Sequence, residues 1–134
     1  KLANYEQSEY AYKKVIELDE ENLNAIVELA SLFFEQGKYS DAEDFFRLAI
    51  GKMQKSELRT LTKYNLSSVL LQQDRLQDAE NIAWQSYDEK DFLKNDIQKS
   101  NIVYNYAFVC EKRGKVSTAK KLSFLDHLFH ILRL

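Results

Sequence analysis

The hydrophobic positions fall at helical spacing along almost the whole chain. Between Leu23 and Ala49, Ile26, Leu29, Ala30 and Phe33 occur at i, i+3, i+4 and i+7, one face of a helix. Gly37 ends that stretch, because glycine takes the left-handed conformation past a helix end without steric cost. Asn22 is placed to cap its start. Ser40 stands three residues before Glu43, which predicts a capping box opening the next helix. Ala42, Phe46 and Ala49 then line that helix's buried face. No alternation of strand length occurs anywhere. The pattern predicts seven helices at about 4–18, 23–36, 40–53, 57–73, 76–88, 96–112 and 116–133, with boundaries good to a few residues.

The pattern also repeats. Gly37-Lys38-Tyr39 with Ala42 matches Asp74-Arg75-Leu76 with Ala79, and Gly114-Lys115-Val116 with Ala119. Ala3-Asn4-Tyr5 with Ser8 is a fourth copy near the start. A repeat of this length, with small residues where two helices cross, predicts stacked helix pairs, because one pair cannot bury its apolar face alone. These residues resemble the tetratricopeptide repeat (TPR) family. The unit from Leu23 matches in Leu29, Ala30, Phe33, Gly37, Tyr39, Ala42, Phe46 and Ala49. The unit from Thr60 is looser, with Leu66, Ser67, Leu70, Asp74, Leu76, Ala79, Ala83 and Ser86. The unit from Ser100 matches through Ala119 and then departs, with Ser123 and Asp126 where an aromatic and a small residue belong. The family's proline after the second helix is missing throughout. Its absence permits longer helices and fits the extra residues around Met53–Arg59 and Tyr87–Lys99.

The resemblance implies an all-α fold, an α-solenoid of antiparallel helix pairs forming a TPR-like superhelix. One domain over 1–134 is expected, with a partial repeat 1–22 and repeats at about 23–56, 57–95 and 96–134. It also implies a scaffold that holds another protein or a peptide segment in a concave groove lined by the first helix of each pair. By that register the groove residues are Asn24, Glu28 and Ser31, then Tyr64, Asn65 and Ser68, then Tyr104, Asn105 and Phe108. An asparagine amide can hold a peptide backbone without reading its side chains, and tyrosine gives broad contact at little entropic cost. The competing reading is that the tyrosines pack between neighbouring helices and each asparagine bonds its neighbour. Lys63 lies one position off the groove register. A carboxylate-gripping groove is therefore not expected, and Glu28 and Glu111 point to a neutral or mildly basic ligand.

The last helix departs from a polar terminal cap. Leu122, Phe124, Leu125, Leu128, Phe129, Ile131, Leu132 and Leu134 are apolar, and Ser123, Asp126, His127, His130 and Arg133 form one narrow polar stripe. Three readings stand: further helices beyond the chain, a second copy or partner over this face, or a membrane surface. The last is disfavoured because the stripe lacks a row of cations. An oligomer contact through Phe124, Leu125, Leu128, Phe129, Ile131 and Leu132, making a homodimer, is thus the alternative function to groove binding.

Composition narrows the remaining classes. Lys and Arg number 19 against 21 Asp and Glu, a net charge of -2, so no general attraction to nucleic acid is expected. Proline is absent and glycine is only 3, which favours helices over turns. No apolar run reaches membrane-spanning length, so no direct membrane insertion is expected. The single Cys110 suits a reducing compartment, and a cytoplasmic location is the expectation; its position predicts an inert core thiol. The chain starts at Lys1 without Met and is expected to be a piece of a longer protein. His127 and His130 could share a metal, but nothing nearby completes a site. Trp84 is expected to be a packing residue. No phosphate loop or catalytic triad occurs. No enzyme activity, cofactor or metal is therefore expected.

Overall fold

The computed structural model describes residues 2–132, and within them the side chains of all but 2, 3, 129 and 130. Seven α-helices follow one another: α1 (Leu2–Leu18), α2 (Leu23–Glu35), α3 (Tyr39–Lys52), α4 (Glu57–Gln72), α5 (Leu76–Asp88), α6 (Asp96–Lys112) and α7 (Val116–Leu132). The described residues contain no strand. The chain divides into two compact units, Lys1–Gln54 and Lys55–Leu134.

In the first unit α2 packs on α1 and on α3. Asn22 caps α2 as expected, its side-chain oxygen accepting the Ala25 N–H at 3.0 Å. Leu29, Ala30, Ala42 and Ala49 are fully buried, and Phe46 is 1% exposed between the alanines. Small residues at the crossing let the two backbones approach while one large ring fills the gap. Phe33 and Phe45 extend that core, with ring centroids 5.6 Å apart.

In the second unit α4 packs on α5, α5 on α6, and α6 on α7. Ser56 and Asn95 cap α4 and α6 through the Arg59 and Gln98 N–H groups. The core holds Leu66, Val69, Leu70, Ala79, Ala83, Ile102, Val109 and Cys110. The residues between 88 and 96 do not lengthen α5. They form a single 3-10 turn, Lys90–Phe92, and then bury Leu93 at 1% exposure. The extra length goes instead into α6, which begins at Asp96, four residues before the Ser100 that opens the repeat.

The three turns inside the pairs share one backbone design. Gly37, Asp74 and Gly114 have φ of 77°, 58° and 79°. In each, that residue's N–H bonds the carbonyl three residues back and the next N–H bonds the carbonyl five back: Gly37 to Phe34 and Lys38 to Phe33, Asp74 to Leu71 and Arg75 to Leu70, Gly114 to Glu111 and Lys115 to Cys110. This is the Schellman arrangement, and it consumes the last free carbonyls of each helix. The residue after the turn then opens the next helix, its carbonyl accepting from Ala42, Ala79 or Ala119. That double use corrects one expectation. Lys38, not Ser40, is the N-cap of α3, without a side-chain cap bond, and Glu43 instead pairs with Arg47 at 2.9 Å.

Buried polar groups concentrate on α4. Thr60, Thr62 and Ser67 are fully buried. Thr62 returns its hydroxyl to the Leu58 carbonyl at 2.6 Å, and Thr60 donates to the Ser56 and Glu89 carbonyls. Folded back on backbone carbonyls, a threonine hydroxyl is buried without an unmet hydrogen bond. Lys63, placed off the groove by the sequence, is 3% exposed and bonds Glu89 Oε1 at 3.0 Å. Arg59 reaches the same oxygen at 3.3 Å.

Candidate peptide-binding face

The residues assigned to a groove take up different roles. On α2, in the first unit, Asn24 and Glu28 are exposed, and half-buried Ser31 bonds back to the Val27 carbonyl at 3.0 Å. On α4, Tyr64, Asn65 and Ser68 are half-buried, and the Ser68 hydroxyl donates to the Tyr64 carbonyl at 3.3 Å. On α6, Tyr104 is 70% exposed and Phe108 37%. Tyr64 and Tyr104, equivalent in register, are therefore unlike in exposure.

Asn105 differs most from its expected place. It is buried, and its amide donates to the Ser67 hydroxyl of α4 at 2.6 Å. The amide thus joins two neighbouring first helices of the second unit instead of facing a ligand. Asn105 lies three residues after Ile102 and four before Val109, both fully buried, so helical spacing puts it on a buried face of α6. The competing reading of these asparagines describes Asn105; Asn65 makes no hydrogen bond among the described residues.

What remains on α6 is a continuous row. Tyr104 and Phe108 lie one helical turn apart and stack, with centroids 6.4 Å apart and planes 18° from parallel. One turn further, Lys112 sets its ammonium 5.3 Å from the Phe108 ring centroid. A cleft of about 420 Å³ borders the row, lined by Ser68, Leu71, Gln72, Asp74 and Leu76 along with Asn105, Phe108 and Lys112. It offers an aromatic wall, an aliphatic floor, amide and hydroxyl groups, and one charge of each sign at its end. Apolar side chains with a few polar groups are the general make-up of a ligand cleft. Leu71 continues the row begun by Ser68 on α4, whereas Gln72 and Asp74 lie outside the groove register. They belong to the last turn of α4 and the bend that follows it, which a register counted along first helices does not reach.

Three other residues stand outside the groove. Trp84, expected to pack, is 49% exposed on α5. Cys110 is buried as expected, and burial pushes its thiol above the ordinary range. Tyr106 lies against it, and burial, reinforced by Cys110, pushes the phenol up to about 12.

On α7, Leu122 is buried and Leu128 half-buried, but Phe124, Leu125, Ile131 and Leu132 are 63%, 54%, 62% and 53% exposed. The side chains of Phe129 and His130 lie outside the described residues. No described helix is long and apolar enough to cross a membrane.

The model of the family described as tetratricopeptide repeat matches residues 2–63. No curated protein matches the chain significantly in sequence. Among solved structures, that of MamA aligns with a TM-score of 0.75 at 18% identity, over 90% of this chain. The chain spans 65% of that MamA chain. A single-residue variant of a putative kinesin light chain from Podosopora anserina, with nearly identical TPR-like repeats, aligns with a TM-score of 0.77 at 13% identity. That alignment covers 98% of this chain and 70% of the other. The repeated turn signature and the shared helical architecture make this chain a helical-repeat domain with a TPR-like fold, and its residues 2–63 match the tetratricopeptide repeat model.

Proposed function

We propose that the chain is a protein-interaction module whose second unit holds a peptide on the exposed face of α6 and the adjoining end of α4. The observation that carries the reading is the Tyr104–Phe108–Lys112 row. Stacked aromatic side chains left in water over a cleft are anchors in search of a partner, since burying each removes a large apolar area from solvent. Leu71 and Leu76 would take an aliphatic side chain of the ligand, and Gln72 and Asn65 its backbone. Lys112 and Asp74 at the cleft end leave the ligand's charge balanced there. The MamA and kinesin light chain structures lend the fold, and the ligand chemistry comes from this chain's own residues.

The test is selection of binding peptides from a random displayed library against the whole chain, with affinities remeasured on Tyr104→Ala and Phe108→Ala. Truncating a central aromatic anchor costs about 2 kcal/mol or more, roughly 30-fold in affinity. Selected peptides that bind both variants as tightly as the parent would place recognition elsewhere and sink the reading.

The exposed Phe124, Leu125, Ile131 and Leu132 support a second reading, self-assembly through α7. It predicts a sedimentation coefficient that rises with protein concentration and falls to the monomer value in Leu125→Glu. A parent that sediments as a monomer at all concentrations would remove it.

A further inference from the structure

The second unit carries another set of unspent groups, on the corner where α5 meets the turn from α6 to α7. Arg113, Lys115, Lys120 and Lys121 place four cations within residues 113–121, with no acidic residue among them. In a chain of net charge -2 this is a local reversal of sign. Among the described residues Arg113 and Lys115 both pair with Glu80 of α5, which is 8% exposed. Lys115 bonds Glu80 Oε1. Arg113 Nη1 lies 3.1 Å from Oε2, yet Oε2 accepts no hydrogen bond, so the approach is an ion pair out of hydrogen-bonding alignment. The Arg113 guanidinium makes no hydrogen bond among the described residues, while the residue's backbone N–H bonds the Val109 carbonyl at 3.0 Å. Its donors, in a side chain 29% exposed, are not consumed by the fold.

Apolar surface adjoins this charge. Glu80, Asn81, Trp84, Gln85 and Tyr106 line a depression of about 410 Å³. Trp84, one turn along α5 from Glu80, leaves half its surface in water. Glu80 links the two features: it lines the depression with Trp84 and pairs with Arg113, and tryptophan and arginine are the residues enriched where proteins meet partners. Two cations face one carboxylate here, so the complement is an anion. The guanidinium fork fits a carboxylate with two parallel bonds, and the indole fits an apolar side chain next to it. Lys120 and Lys121 are exposed on α7, five and six residues past Lys115.

We propose that this corner is a second docking surface, for an acidic segment of a partner protein: one carboxylate is held by Arg113 and Lys115, and an adjacent apolar side chain lies on Trp84 over Tyr106. The surface is separate from the α4–α6 row and does not depend on the peptide reading of that row.

Trp84 is the one tryptophan in the chain, so its fluorescence reads the site directly. The whole chain is titrated with a short glutamate-rich peptide carrying leucine, with the same peptide bearing glutamine for glutamate, and with a single-stranded oligonucleotide. The expected result is a saturable shift in Trp84 emission with the acidic peptide alone, weakening about tenfold or more on raising salt from low to physiological strength. Arg113→Gln with Lys115→Gln is expected to lose the shift. Because that variant leaves the Glu80 carboxylate without its cations, Glu80→Gln is combined with both changes, and circular dichroism checks that helicity is kept. No emission change with the acidic peptide overturns the proposal, as does equal binding by the folded triple variant. Equal binding of the glutamine peptide overturns the charge argument. An oligonucleotide that binds as tightly as the peptide replaces the acidic protein segment with nucleic acid.

Discussion

Replacing Glu89 with glutamine tests whether one carboxylate holds the buried cations of α4. The Lys63 and Glu89 side chains are 4% and 9% exposed, and their charged atoms lie 3.0 Å apart. An ammonium at that depth cannot regain its hydration, so removing its partner costs about 3–5 kcal/mol. Arg59 shares the same oxygen but is 23% exposed and reaches water when released. Glu89 Oε2 has no hydrogen-bond partner, so the parent cluster is imperfect and the lower end, about 3 kcal/mol, is expected. In a chain of this size that lowers the melting temperature by about 10 °C. Urea unfolding followed by Trp84 emission reads the unit that contains the cluster. The double variant Lys63→Met, Glu89→Gln removes both charges while keeping volume, and most of the lost stability should return. A loss below about 1 kcal/mol for Glu89→Gln, or strict additivity in the double variant, would refute the reasoning.

Asp74 holds the left-handed turn position that glycine holds in the other two pairs. Asp74→Gly should therefore raise the stability of the second unit by about 0.5–1 kcal/mol in the same urea assay; a decrease would mean the carboxylate has a stabilising partner role. Asn105→Ala should cost about 1–3 kcal/mol, because it strands the buried Ser67 hydroxyl, whereas Asn65→Ala should stay within about 0.5 kcal/mol. In alkali, Tyr106 should ionise only near pH 12, a step followed by tyrosinate absorbance and removed by Tyr106→Phe. Its folded pKa is raised, so its contribution is full below the free-phenol value near 10 and is lost as pH climbs from there to about 12. The raised Cys110 thiol should react with a thiol reagent at mildly alkaline pH only after denaturant is added.

The helices were legible because their punctuation is local. Asn22, Gly37 and Gly114 act through bonds within a few residues, so sequence spacing locates them. The Ser40 capping box failed for a related reason. The turn is so tight that Lys38 closes one helix and opens the next, which leaves Ser40 inside α3. The unit from Thr60 reads as loose because Thr60, Thr62, Lys63 and Ser67 are polar. Their burial rests on back-bonding to carbonyls and on Glu89, which is 26 residues away from Lys63 in sequence. No periodicity signals such a pairing. Of the proposed peptide face, the register gave Tyr104 and Phe108. It could not separate Asn65 from Asn105, because which asparagine meets a hydroxyl depends on how α6 lies against α4. Size and a place on a second helix assign Trp84 to the core, a reasoning blind to which side of α5 it occupies.

The bond from Asn105 to Ser67 has a consequence for how such an array can be built and rebuilt. At the place Ser67 holds, the other two repeats carry Ala30 and Ala107. A methyl group there would leave the Asn105 amide dry and unanswered. The third repeat is thus keyed to follow the second, and grafting it behind either of the others would incur the penalty of a buried, unmet donor. Units that share a backbone turn are not interchangeable bricks: one hydroxyl and one amide give the array a fixed order of assembly, and any duplication or shuffling that kept the fold would have to carry the two repeats together.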